Sequence, residues 1–237
     1  MSAPDSAPDA GAAEASEEKR LRERFGFLFL ALIVVFLVEG IASEGDLKDA
    51  VITALVGAAL AISFEAAEMP RRRLRRFVLL VALVVVAIIV AQVTGHDRVV
   101  TGITRLANGL LVSLAPAAVV IGVRRSLARH QEVSIEVVLG ALCFYLLAGL
   151  FFAFLYGAIN DLGGDPFFAN GVSSTTAHNV YFSFTTLTTT GFGDLTARAS
   201  LGHTLSNLEM LIGQIYLVTV VSIVVGNLRP RRGPRST

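Results

Sequence analysis

The sequence predicts an all-α membrane protein with six transmembrane helices and one further helix that enters the membrane and returns. Of the 237 residues, 54% are hydrophobic, and the mean hydropathy is +0.66. An ordinary soluble domain is only about 45–50% apolar. The apolar residues are gathered into six long runs, and about 20 residues are enough for a helix to cross the bilayer core. The natural interpretation is therefore a polytopic membrane protein.

The six runs follow one another with short polar or basic links between them. They cover residues 25–42, 50–67, 77–94, 103–123, 137–159 and 201–228. Residues 1–24 contain little that could be buried and are predicted to be a disordered cytoplasmic tail. Residues 25–130 then form a four-helix transmembrane domain, residues 131–228 a second domain, and residues 229–237 a short basic cytoplasmic tail.

The basic residues are distributed unevenly around these runs. Sixteen of the twenty Lys and Arg residues lie on one side of the predicted membrane and four on the other, in an order that alternates with every crossing. Because cytoplasmic loops are enriched in Lys and Arg, this pattern predicts a multi-pass protein of the plasma (inner) membrane with both termini cytoplasmic. The basic clusters can also contact anionic lipid headgroups, so membrane lipids are expected partners.

One stretch between the last two runs differs from the rest of the chain. Residues 185–194 read Thr-Thr-Leu-Thr-Thr-Thr-Gly-Phe-Gly-Asp. Glycine adopts left-handed backbone conformations at little cost, so alternating it with other residues lets successive carbonyl groups point the same way. A ladder of inward-facing carbonyls can replace the water shell of a dehydrated cation. Residues 181–184, Tyr-Phe-Ser-Phe, predict an aromatic half-helix just before this ladder.

Residues 189–194 resemble the potassium-channel signature Thr-x-Gly-(Tyr/Phe)-Gly-Asp, and the chain as a whole resembles a six-span bacterial potassium channel. The resemblance is specific over about residues 137–228, whereas residues 1–130 share only the number and orientation of the spans. It implies a pore domain made of an outer helix, a re-entrant pore helix, a selectivity filter and an inner helix. Because the motif occurs once in the chain and such a pore takes four copies, the resemblance also implies a homotetrameric channel.

The resemblance assigns the filter residues by position. Those expected to bind K⁺ through their carbonyls are Thr189, Thr190, Gly191 and Phe192, together with the Thr189 hydroxyl. Gly193 is expected to add the outermost carbonyl, and Asp194 to make a supporting hydrogen bond behind the filter mouth. The half-helix points its negative dipole end at the cavity, which favours a cation there. No cofactor is expected besides the permeant K⁺ ions.

Two positions depart from the commoner form of the signature. Phe192 replaces the commoner Tyr, so its ring has no hydroxyl, and its expected partner Phe182 is not a tryptophan. Together these changes predict a filter held by packing rather than by hydrogen bonds. Thr185 occupies a position where some relatives place a carboxylate that pairs with the aspartate, which predicts a softer filter.

The last run carries a carboxylate and a glycine. Glu209 lies in its outer half, where a charged side chain is costly and usually functional or paired. It is expected to brace the inner helix against the back of the pore helix, although a protonated or hydrogen-bonded side chain without a specific role is the alternative. Gly213 matches the hinge position of the family, and a small residue there also permits close helix packing.

Two stripes of the last run are candidates for the pore-lining face. Continued from Gly213, the resemblance maps the cavity and gate to Gln214, Leu217, Val221 and Val225. The helical period alone also permits Ile215, Thr219, Ser222 and Gly226. Because Thr and Ser can satisfy their hydroxyls on preceding carbonyls, the first stripe is preferred.

The resulting functional prediction is a potassium-selective channel that conducts passively and is not strongly voltage-gated. The fourth run has no ionisable residue between Leu106 and Val123, so the arginine series of voltage-gated relatives is missing, although Arg105 could still swing inward. The alternatives are a poorly selective cation channel on the same fold and a subunit of a potassium transporter. No catalytic constellation, metal-ligand spacing or basic–aromatic cluster occurs, so an enzyme, a metal site and nucleic-acid binding are not expected.

Overall fold

The computed structural model of the chain describes residues 23, 26–38, 51–58, 60–61, 71–94, 97–129 and 135–227. Apart from Glu23, the two predicted tails lie outside these ranges. Within them, every regular element is helical, and extended backbone pairs only at an isolated bridge between Phe168 and Ala197.

Four helices form the first part of the chain. They are α1 (Gly26–Val38), α2 (residues 51–58 and 60–61), α3 (Arg71–Thr94) and α4 (Arg98–Arg129). The basic cluster at residues 71–76 is helical and starts α3, because arginine is a good helix former.

The remaining helices enclose the signature stretch. They are α5 (Ile135–Leu162), a 3₁₀ turn (Ala169–Gly171), α6 (Thr176–Leu187) and α7 (Ser200–Asn227). In the described part of the chain, one helical segment is long and apolar enough to cross a membrane, Val138–Leu162, with a mean hydropathy of 2.4. Gly26–Val38 and Val78–Ala91 are shorter apolar segments. The other predicted crossings stay predictions.

One hydrophobic core joins the leading helices to α5 and α6. It combines buried residues of all six helices, including Leu32, Ile52, Ile88, Leu111, Leu150 and Val180. The helix α4 packs lengthwise against α5. The rings of Phe36 in α1 and Phe184 in α6 meet edge to face, with centroids 4.8 Å apart. The leading helices therefore lie against the back of the segment that carries the signature.

An ion pair joins the first turns of α4 to the last turn of α5. Arg105 Nη1 lies 2.8 Å from Asp161 Oδ2, and the two side chains are only 16% and 11% exposed. The same guanidinium nitrogen donates to the Gly157 carbonyl at 3.5 Å. An inward swing of Arg105 would have to break this ion pair.

Candidate functional site

The helix α6 is short and has a defined start. The hydroxyl of Thr175 accepts a hydrogen bond from the His178 backbone N–H at 3.1 Å, which satisfies one of the free amide groups of the first turn. The Ser174 hydroxyl donates to Asn179 Oδ1 at 2.8 Å. With its first turn fixed, α6 runs for twelve residues and ends at Leu187.

The backbone after α6 folds back onto the last turn of the helix. The amides of Thr190 and Gly191 both donate to the Thr185 carbonyl, at 2.9 and 3.1 Å, and the Thr189 amide donates to the Thr186 carbonyl at 2.8 Å. The helix end thereby receives donors for carbonyls that would otherwise lack a partner. Thr185, predicted from the sequence to support the filter, accepts the bonds from Thr190 and Gly191 with its carbonyl, while its hydroxyl donates to the Phe182 carbonyl.

Left-handed residues alternate along the signature stretch. Thr189, Gly191 and Gly193 have φ angles of +56°, +50° and +81°, whereas Thr190 and Phe192 between them are not left-handed. The glycines take this conformation without steric penalty. Thr189 is β-branched and is a genuine outlier there. A strict alternation over five residues is the backbone pattern that a carbonyl ladder requires.

Tyr181 and Asp194 are joined by a hydrogen bond across the outer side of the stretch. The Tyr181 hydroxyl donates to Asp194 Oδ2 at 2.8 Å, and this bond raises the pKa of the phenol. The Tyr181 ring also stacks on Phe192, with centroids 6.3 Å apart and planes 8° apart. The Phe192 ring is therefore held within the chain by packing, whereas Asp194 beside it is held by a hydrogen bond.

Phe182 faces away from Phe192 within the chain. It is buried in an aromatic cluster and meets the rings of Tyr156, Phe167 and Phe168 edge to face, at centroid distances of 5.2 to 5.8 Å. Consecutive residues of a helix point about 100° apart, so Tyr181 and Phe182 cannot both face the signature stretch. Phe182 instead packs α6 against α5 and against Phe167 and Phe168 of the segment between α5 and α6.

Glu209 connects three helices from a fully buried position in α7. Its Oε2 accepts from the Tyr156 hydroxyl of α5 at 2.6 Å, and its Oε1 lies 2.5 Å from the Ser183 hydroxyl of α6. Ser183 lies on the buried side of α6. These contacts have the geometry predicted for a brace from the inner helix to the back of the pore helix.

At Gly213, α7 lies close against the end of α6. A Cβ at this position would overlap the Leu187 carbonyl oxygen. The helix α7 is continuous through Gly213. The glycine therefore permits close packing, and its role as a hinge stays a prediction.

The two candidate pore-lining stripes of α7 are similarly exposed in the structure. Gln214 and Leu217 are exposed, and so is Ile215 of the rival stripe. Thr219 and Ser222 donate to the carbonyls four residues earlier, as expected for hydroxyls in an apolar setting. The backbone of Val221, Val225 and Gly226 belongs to α7, but their burial lies outside what the structure describes.

The site contains residues that the sequence interpretation did not single out. They are Tyr181, Tyr156, Ser183 and Tyr145, whose hydroxyl donates to the Leu187 carbonyl at 3.2 Å. An available signal was that each is a hydroxyl-bearing residue in an apolar helix, where a polar group needs a partner.

A comparison with protein families agrees with this geometry. Residues 140–229 match the Ion_trans_2 family model, described as an ion channel. The match covers most of α5, all of α6, the signature stretch and α7, and supports an ion-channel pore module in this part of a membrane protein. Searches of the curated proteins and of the solved structures give no match.

Proposed function

We propose that the chain forms a potassium-selective channel that conducts K⁺ passively through a homotetrameric pore in the plasma membrane, with both termini cytoplasmic. The observation that carries the proposal is the alternation of left-handed residues at positions 189, 191 and 193 directly after the C-terminal end of α6. The ion-channel family match over residues 140–229 supports the same class of function.

The hydrogen bonds of the stretch favour cation binding by its carbonyls. The amides of Thr190 and Gly191 point back at the Thr185 carbonyl. Peptide carbonyls that are not used in this way are available as ion ligands, and carbonyl oxygens suit hard cations. The negative end of the α6 dipole at Leu187 also favours a cation in the space beyond the helix. Thr189 to Gly193 are the residues proposed to bind K⁺.

A tetramer is proposed because the signature stretch is exposed in a single chain. Residues 188–194 are exposed, and Phe192 is 70% exposed although it is a large apolar side chain. The helix α7 also exposes large apolar residues, among them Leu211, Ile215 and Val218. Further copies of the chain would surround an ion with carbonyls and cover part of this surface, with lipid covering the rest.

A poorly selective cation channel on the same fold is the second candidate. It is favoured by Phe192, which has no hydroxyl and is held within the chain by stacking on Tyr181. A potassium-transporter subunit is less well supported, because one chain contains one signature stretch.

The proposal is tested with purified protein in liposomes loaded with potassium salt. Wild-type protein should release K⁺ on addition of a protonophore that balances charge, and native mass measurement should give four chains. Absence of any cation flux would refute the channel. A native mass of one chain would instead revive the transporter.

A further inference from the structure

The Ser183 hydroxyl lies between two oxygen atoms. One is Oε1 of Glu209 at 2.5 Å, and the other is the Gly149 carbonyl oxygen of α5 at 2.7 Å. Both distances are within the range of O–H···O hydrogen bonds. Tyr156 completes the cluster by donating to the other carboxyl oxygen of Glu209. Three oxygen–oxygen contacts therefore need three protons.

The number of available protons depends on Glu209. A carbonyl oxygen and an ionised carboxylate can only accept, whereas a hydroxyl has a single proton to donate. With Glu209 ionised, the Ser183 hydroxyl can donate to only one of its two neighbours. The Ser183 oxygen and the other acceptor then face each other with no proton between them. With a proton on Oε1, Glu209 donates to Ser183, Ser183 donates to Gly149, and Tyr156 donates to Oε2. Only the neutral acid satisfies every contact.

The surroundings of Glu209 offer no compensation for a negative charge. In the described ranges, ion pairs are formed by Arg105 with Asp161 and by Arg198 with Asp165, and neither reaches Glu209. The ionisable side chains that face it are Tyr156 and, further away, Tyr145, both from α5. The contact from α6 is the non-titratable Ser183. A buried carboxylate without a cation is costly.

We infer that Glu209 is a proton-binding positioning residue, which as a neutral acid holds α6 against both α5 and α7, and that one of these two contacts is lost with the proton. Loss of the proton leaves Ser183 with two acceptors and one hydrogen. One of the contacts that join α6 to α5 and α7 must then open.

The effect should reach the signature stretch because α6 is short. Ser183 lies two residues before Thr185, whose carbonyl accepts from the amides of Thr190 and Gly191. A displacement of Ser183 therefore also moves the Thr185 carbonyl, which holds the backbone of Thr190 and Gly191. The inference that Glu209 is protonated depends only on its hydrogen-bond contacts. The inference that its protonation affects ion flux rests on the proposed channel function.

Infrared spectroscopy of the purified protein in lipid tests the protonation. The carbonyl stretch of a carboxylic acid is separate from carboxylate and amide bands, and it should be present in wild type at neutral pH and absent from Glu209→Gln. Ser183→Ala removes the acceptor of the Glu209 proton and should shift this band, which keeps the test open if Glu209→Gln fails to fold. A wild-type protein without the band at neutral pH would overturn the inference.

Potassium flux into liposomes, measured from about pH 7 to about pH 10, tests the consequence. Wild-type flux should fall by most of its value as Glu209 loses its proton, while Glu209→Gln, which keeps a donor and cannot ionise, should stay flat over the same range. Titration of the tyrosines occurs in both proteins and cancels in the comparison. Parallel profiles would overturn the positioning role. If neither protein carried flux, the channel proposal would fail, and the infrared result would still decide the protonation.

Discussion

The carbonyl oxygen of Leu187, the last residue of α6, lies directly against the backbone of Gly213 in α7. The same oxygen accepts a hydrogen bond from the Tyr145 hydroxyl of α5 at 3.2 Å. Three helices thus meet at one peptide group, immediately before the proposed filter begins. Any side chain at position 213 would have to push this peptide away.

Gly213→Ala is therefore expected to destabilise the protein by about 1–3 kcal/mol, as overpacking of a close contact does. The measurement is the thermal unfolding of the detergent-solubilised protein. Gly26→Ala is the matched control, because a Cβ at Gly26 meets nothing within 4 Å. Equal melting temperatures for Gly213→Ala and wild type would contradict the observed contact.

Gly191→Ala should abolish potassium flux. Gly191 has φ +50°, and within one chain no atom lies within 4 Å of an added Cβ, so the expected effect is about 1–2 kcal/mol of left-handed backbone strain. Gly171, at the end of the 3₁₀ turn between α5 and α6, has φ +74° and is equally open. Gly171→Ala should carry similar strain and keep its flux. If both variants conducted like wild type, the stretch would not be the filter.

Tyr181→Phe keeps the ring that stacks on Phe192 and removes the donor to Asp194. An exposed hydrogen bond of this kind stabilises the conformation that it holds by about 0.5–1.5 kcal/mol. If this conformation is the selective one, its loss should lower the ratio of potassium to sodium flux about two- to tenfold. Asp194→Asn and the double variant complete a mutant cycle. Strictly additive effects of the two changes would show that the pair does not act as a unit.

Conductance in symmetric potassium should depend only weakly on voltage. Steep gating needs about 3–4 moving charges per subunit, each worth about 2.3 kcal/mol per 100 mV. The stretch from residue 106 to residue 123 has none, and Arg105 is held by Asp161. The expected slope is below about one charge per subunit. A slope of about ten or more charges per tetramer would refute this expectation.

The sequence predicted those features of the site that depend on a residue and its immediate neighbours in the chain. Gly191 and Gly193 adopt the left-handed conformations for which glycine was the signal, and Glu209 needed a partner because a carboxyl group in an apolar run requires hydrogen bonds. The helices lie at the predicted runs, because hydrophobic length is itself a local property.

Features that depend on how the helices rotate and pack were not predictable in this way. The sequence shows two adjacent aromatics, but the rotation of α6 decides that Tyr181 faces Phe192 and Phe182 faces the aromatic cluster. Tyr156 and Ser183 meet Glu209 from 53 and 26 residues away. Thr189 is left-handed against its own preference, because the amides that follow it are held by the end of α6.

Potassium selectivity is decided by the reversal potential of purified protein in a planar bilayer or in liposomes, with potassium salt on one side and sodium salt on the other. The complete alternation from Thr189 to Gly193 predicts a reversal potential close to that of a purely potassium-selective membrane, and a change of sign when the two salts are exchanged. A reversal potential near zero in both arrangements, with clear currents, would contradict selectivity and leave a poorly selective cation channel.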